Sequence, residues 1–217
     1  MTMKRHVVIT GTGRAGTTFL IQLLTELGLD TGIGDPWSSA GFDDTCKAGW
    51  EWNIYSPNAP YIIKSPSYCT YLEEMLASGQ VRIEHVFVPI RDLFSAAESR
   101  RNVQRRSGQA AQAAVNGGHF GTAPAEEQEA VLAQIFHHLF ETLAAWDVPH
   151  TLLSFPRIVN DRQYLFRKLA PLLRDVDYRD FAQAFARIAR PQWVNCFASD
   201  GVQRPAPNVT HKPPKAS

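Results

Sequence analysis

Residues 6–28, HVVITGTGRAGTTFLIQLLTELG, pass from a β-branched run through a glycine-rich turn into a leucine-spaced segment, and this passage sets the fold class. HVVIT (6–10) shows no polar alternation, which suits a parallel strand covered on both faces. Leu20, Leu23, Leu24 and Leu27 recur at three- and four-residue spacing, the period of a helix with one buried stripe, and Gly28 supplies its stop. Strand, glycine loop and helix together open an α/β unit, and in such sheets ligands collect outside the carboxyl ends of the strands.

The same alternation continues downstream. Residues 29–60 have no sustained period and read as a long loop; YIIKS (61–65) is a second strand, followed by a short helix near 68–77. IEHVFVPI (83–90) is a third strand leading into a helix over 92–106. Residues 107–123 are small and glycine-rich and predict a flexible excursion or lid, after which Val131, Leu132, Ile135, Phe136, Leu139, Leu143 and Trp146 mark one apolar helix face. HTLLSF (150–155) is a fourth strand, helices follow near 160–173 and 178–189, and the stretch 190–217, with five prolines, is an irregular tail. The pattern predicts one α/β domain over 1–217: a three-layer sandwich whose central parallel sheet of about four or five strands is flanked by helices.

Composition narrows the function classes. The chain has 217 residues, 44% of them hydrophobic and 20% charged, enough apolar material for one full core. Twenty-two Lys plus Arg against twenty-one Asp plus Glu leave a net charge of +1, far from the positive field that duplex nucleic acid attracts. Cys46, Cys69 and Cys196 have no CxxC spacing and no paired histidines, so neither a disulfide framework nor a zinc site is expected. The absence of an apolar run of signal-peptide or membrane-spanning length completes the expectation of a cytoplasmic protein with no membrane partner.

The turn itself, GTGRAGTT (11–18), lies where loop amides and a helix N-terminus can point together at an anion. It has the outline of the G-x-x-x-x-G-K-[ST] loop, with Gly11 and Gly16 in place, which makes the expected sandwich one of P-loop type. Thr17 stands where that loop has lysine, which weakens a nucleoside triphosphatase reading. The alternative is a glycine turn that only lets the helix pack on the strand. Two further motifs fall at strand ends: KSPSY (64–68), and VPIRDLFSAAESRR (88–101), with Arg91 closing a strand and Ser99 eight residues later on the next helix. Arg91, Arg100, Arg101, Arg105 and Arg106 form a basic stripe with only Asp92 and Glu98 among them, which fits either a polyanionic ligand or a solvated helix face.

These three motifs resemble those of sulfotransferases that use 3′-phosphoadenosine 5′-phosphosulfate. The resemblance covers roughly residues 5–105. It implies that Gly11, Thr12, Gly13, Arg14, Ala15, Gly16, Thr17 and Thr18 hold the donor's 5′-phosphosulfate, with Arg14 on the group being transferred, and that Arg91 and Ser99 hold the 3′-phosphate. KSPSY is similar to the Lys-Ser/Thr-Pro-x-Tyr segment of carbohydrate and Golgi-type members, and Lys64 would neutralise charge on the sulfuryl oxygens and leaving phosphate. Cytosolic members carry their catalytic histidine where this chain has Pro66, so the resemblance moves the base to a carboxylate beyond the first helix. Asp35, twenty-one residues after Arg14, takes that place, with burial against Trp37 expected to tune it. Asp43, Asp44 and Glu51 lie in the same region as alternatives, and Asp35 before Pro36 also fits a plain turn residue.

The implied reaction moves a sulfuryl group in line to a hydroxyl or amine of a small acceptor, without a metal. Segment 30–52 sets Asp30, Asp35, Asp43, Asp44 and Glu51 among Trp37, Phe42, Trp50 and Trp52, either a wall suited to an apolar or cationic acceptor or tryptophans that anchor the loop. The late Arg-Lys-Gly segment of cytosolic members is not found; Arg190, Arg204 and Lys212 are the basic residues available in its place. A nucleotide-dependent kinase and a non-catalytic nucleotide-binding protein are the other classes that the loop admits.

Overall fold

The computed structural model describes residues 3–37, 42–43, 48–108, 117–120 and 124–194. Strand β1 (Lys4–Ile9) runs through the glycine loop into α1 (Thr17–Glu26). A two-residue ribbon, β2 (Phe42–Asp43) and β3 (Ala48–Gly49), interrupts the connection to β4 (Ile62–Lys64), where the sequence predicts only loop. Helix α2 (Tyr68–Ala77), β5 (Val81–Ile90), α3 (Leu93–Ser107), α4 (Gln128–Ala145) and β6 (His150–Ser154) follow, and α5 (Arg157–Asn160), α6 (Arg162–Lys168) and α7 (Tyr178–Ile188) come last.

The sheet has four strands, all parallel, in the order β4-β1-β5-β6. The chain therefore leaves β1 for the neighbour on one side, then crosses β1 to build β5 on the other. Connections depart in opposite directions from β1 and β5, which opens a crevice between their carboxyl ends. The glycine loop and Arg91 both begin there.

Helices cover both faces of the sheet. Val7, Ile9, Ile62, Phe87 and Leu153 pack into one core with the apolar sides of α1, α6 and α7. Val8, Ile63, Val86 and Val88 pack into a second core with α2 and α4. Successive strand residues thus enter opposite cores, and the strands read as unbroken apolar runs for that reason. Among the described residues, no helix is long and apolar enough to cross a membrane.

The helix expected near 160–173 is present but shorter, as α6, and a separate turn of helix, α5, precedes it. Asp161 leaves helical geometry (φ −124°, ψ 90°) and its carboxylate accepts from the Tyr164 amide at 2.9 Å, so it ends α5 and caps α6. A 3₁₀ turn at Ala125–Glu127 precedes α4. Most of the excursion expected over 107–123 and the tail beyond 194 lie outside the described residues.

Phe87 is fully buried at the centre of β5. Its replacement by alanine is expected to lower the unfolding free energy by about 3–5 kcal/mol, measured by urea denaturation, with an unchanged denaturant slope.

Candidate functional site

The loop after β1 owes its shape to positive φ angles, at Gly11 (145°), Gly13 (73°), Arg14 (57°) and Gly16 (86°). Glycine enters that region without strain; arginine does so at a cost, so Arg14 marks a conformation imposed by its surroundings. Among the described residues, no backbone carbonyl accepts from the amides of Gly11, Thr12, Gly13, Ala15 or Gly16. Gly16 caps α1 without any side-chain acceptor, and the first turn of the helix carries no acid. The loop and the helix N-terminus thus present amides with the polarity an anion needs.

Arginines from β5 and α3 hold this loop. Arg91 Nη1 donates to the carbonyl of Arg14 at 2.8 Å, while its guanidinium lies 5.0 Å over the Phe155 ring. Arg14 Nε in turn donates to Ser99 Oγ at 3.0 Å. Arg91 and Ser99 are nearly buried, each 7% exposed. The residues singled out at the first and third motifs are therefore one cluster, although Arg14 and Ser99 are 85 positions apart in the chain.

Arg100 lies deeper still. Its Nη2 donates to the Thr12 carbonyl, Nη1 to the Gly118 carbonyl at 2.6 Å, and its guanidinium sits 4.9 Å over the Phe120 ring. Its Nε is buried without a hydrogen-bond partner, and among the described residues no carboxylate pairs with it. Burial, with the nearby Arg14 charge second, pushes its pKa down to about 10, so it remains a cation at neutral pH. A buried cation held only by carbonyls and a ring raises the potential of the loop in front of it. The sequence shows Arg100 merely as a member of the basic stripe. The available signal is helical phase, since Arg100 follows Ala96 and Ala97 by four and three residues on the buried face of α3. Its neighbour Arg101 has a structural role, bonding Glu129 of α4 and the Ala125 carbonyl, and Arg105 and Arg106 are exposed.

The second motif supplies the opposite wall. Lys64 is fully buried at the end of β4; its Nζ donates to the Gly49 carbonyl at 2.7 Å and to Glu51 Oε1 at 3.2 Å. Ser65 Oγ donates to Glu51 Oε2 at 2.9 Å, so one carboxylate spans Lys64 and Ser65. Thr10 Oγ1 donates to the Ser65 carbonyl at 2.8 Å, fastening the ends of β1 and β4 together. Tyr68, the last residue of KSPSY, is buried and its hydroxyl donates to the Trp52 carbonyl.

Asp35 is not buried against Trp37, as the sequence reading expects. Both residues are exposed, and Asp35 Oδ1 accepts from the Trp37 amide at 2.9 Å, the usual geometry of an Asp-Pro turn. Gln22 of α1 fixes that turn by donating to the Pro36 carbonyl at 3.0 Å. Of the alternatives, Glu51 reaches the site residues Lys64 and Ser65, whereas the Asp43 side chain and all of Asp44 lie outside the described residues. Glu51 gave no signal of its own, because its position depends on the turn after β3, where Trp50 takes φ 55°. Trp37 lies under Arg190, at 5.1 Å, while Trp50 and Trp52 pack partly buried on the two cores. Among the described residues, no group of three or more His, Cys, Asp or Glu is placed to hold a metal.

Comparison with protein-family models, with curated proteins and with solved structures returned no match.

Gly13 shows how tightly the loop is fitted. A Cβ there would lie 2.9 Å from Arg100 Nη2 and 3.3 Å from Pro66 Cβ, in addition to the positive φ. Gly13→Ala is expected to cost about 1–3 kcal/mol, read as a lower melting temperature, whereas Gly34→Ala, which meets no atom within 4 Å, should leave it nearly unchanged.

Proposed function

We propose that the protein transfers a sulfuryl group from 3′-phosphoadenosine 5′-phosphosulfate to a hydroxyl or amine of a small acceptor. The observation that carries this reading is the meeting of two anion-binding motifs at one crevice, through the Arg14–Ser99 and Arg91–Arg14 hydrogen bonds of 3.0 and 2.8 Å. A donor with phosphate at both ends of one nucleoside asks for such a double clamp. Thr17 in place of the loop lysine favours it over a nucleoside triphosphate.

The donor supplies an activated sulfuryl group, whose S–O bond to phosphate breaks as the acceptor oxygen or nitrogen bonds to sulfur. In this chain the amides from Gly11 to Thr18 receive the 5′-phosphosulfate, and Arg91 with Ser99 receives the 3′-phosphate. Arg14 and Lys64 offset charge that develops on the sulfuryl oxygens and the leaving phosphate. A sulfuryl group carries less charge than a phosphoryl group, so fixed cations suffice here.

The acceptor proton passes to a carboxylate, and Glu51 is better placed for this than Asp35. Glu51 lies beside the site residues Lys64 and Ser65 at the carboxyl end of β4, whereas Asp35 sits in an exposed turn before Pro36 and, among the described residues, has no hydrogen bond or ion pair to either of them. Trp50 and Trp52, which flank Glu51, pack on the two cores and so anchor the segment that carries the carboxylate.

Calorimetric titration tests the donor. Adenosine 3′,5′-bisphosphate is expected to bind at one site and at least about tenfold more tightly than ATP with magnesium. Arg91→Ala should weaken it roughly tenfold to a hundredfold, the loss of one charge-assisted hydrogen bond. Equal or tighter binding of ATP overturns the donor assignment in favour of a kinase. With donor and an accepted substrate, Glu51→Gln should lower kcat by about 10²–10⁴ while donor affinity changes little, and Asp35→Asn should stay near the parent. The reverse pattern returns the base to Asp35.

A further inference from the structure

A second pocket lies at the other end of the sheet and is independent of the proposed transfer site. A cavity of about 350 Å³ opens near the amino end of β5, lined on its apolar side by the exposed Pro149 and Pro171 and the half-buried Leu172, with Val7 and Ile83 buried behind it. Val7, its lining residue nearest the glycine loop along β1, lies four residues before Gly11, about 13 Å at a rise of about 3.3 Å per residue. Its size, and a largely polar lining with a small apolar side, suit a small charged organic ligand.

A register fault builds its polar wall. In the β1–β5 pairing His6 faces Ile83 and Val7 faces His85, so Glu84 is an extra residue with no partner on β1. Strict alternation would send Glu84 and His85 to opposite faces; the bulge lets both line the cavity. Glu84 is then used internally. It forms an ion pair with Arg5, and its Oε2 accepts from the Tyr61 hydroxyl at 2.8 Å. Burial, with the nearby His150 second, lowers the pKa of His85, whose Nε2 bonds Thr151 Oγ1 at 2.8 Å, so this ring adds no charge at neutral pH.

Arg82 and Arg174 complete the lining. Arg82 lies 4.0 Å from a Glu84 oxygen already bonded to Arg5, and among the described residues Arg174 forms no ion pair. Three guanidiniums face one carboxylate, which leaves the cavity two positive charges in excess. We infer that this cavity binds a small organic anion, a carboxylate or phosphate on a compact apolar body, with Arg82 and Arg174 as its clamp and Pro149, Pro171 and Leu172 as its apolar side. The Tyr61–Glu84–Arg5 network is the frame that orients the site, and guanidiniums suit either planar carboxylate or phosphate oxygens.

Titration calorimetry of the full chain with phenyl phosphate and, separately, with benzoate tests this. At least one of them is expected to saturate a single site, more tightly at low than at high salt. The double variant Arg82→Ala/Arg174→Ala should weaken that binding at least tenfold, and Arg82→Lys/Arg174→Lys should retain most of it. Arg91→Ala and saturating adenosine 3′,5′-bisphosphate should leave it unchanged, which separates this site from the crevice whatever the donor proves to be. Absence of saturable binding for both probes, binding that survives the double alanine variant, or displacement by the bisphosphate overturns the proposal.

Discussion

The hydrogen bond from Arg91 to the carbonyl of Arg14 joins the ends of the two central strands, and the rest of the candidate site depends on it. A loop with positive φ at four of six consecutive positions has little reason to keep that shape alone. Arg91 holds it from β5, Arg100 holds it from α3 through the Thr12 carbonyl, and Pro66 closes on Gly13 from the β4 side. The Arg14 and Thr12 carbonyls accept from Arg91 and Arg100, while among the described residues no backbone carbonyl accepts from the amides of Gly11, Thr12, Gly13, Ala15 or Gly16.

That arrangement places several cations where water is scarce. Arg100 is 5% exposed and Lys64 is fully buried, yet only Lys64 has a carboxylate, that of Glu51, among its described contacts. Burying a guanidinium against carbonyls alone costs free energy that the core must offset, and a bound dianion would recover part of it. On the proposed function, stability and donor binding are then linked, because the residues that make the loop costly in isolation are those that would meet the anion. The four-stranded sheet supplies the rigid frame, since Thr10 and Ser65 tie β1 to β4 while Arg91 ties β5 to the loop.

Much of this was legible in the chain. HVVIT, the glycines at 11 and 16 and the leucine period identified strand, loop and helix, because parallel strands buried on both faces leave unbroken apolar runs. Arg91 and Ser99 were visible only through the resemblance of VPIRDLFSAAESRR to a sulfotransferase motif. What stayed hidden was set by tertiary contacts. Arg100 is distinguished from Arg105 only by the face of α3 on which it falls. Glu51 reaches Lys64 through a two-residue ribbon too short to leave a periodic signal. Counting along the chain selected Asp35, but an Asp before a Pro is first of all a turn former, and its carboxylate is spent that way. The single turn α5 ahead of Asp161 left no signal, because four residues are too few to show a helical period.

A double-mutant cycle on Arg14 and Ser99, read as the affinity for adenosine 3′,5′-bisphosphate by calorimetry, tests most directly whether the two motifs form a single donor site. If they do, the losses in Arg14→Ala and Ser99→Ala will not add in the double variant, and the coupling will be about 0.5 kcal/mol or more. Losses that add within error, or a bisphosphate affinity that neither substitution changes, contradict it.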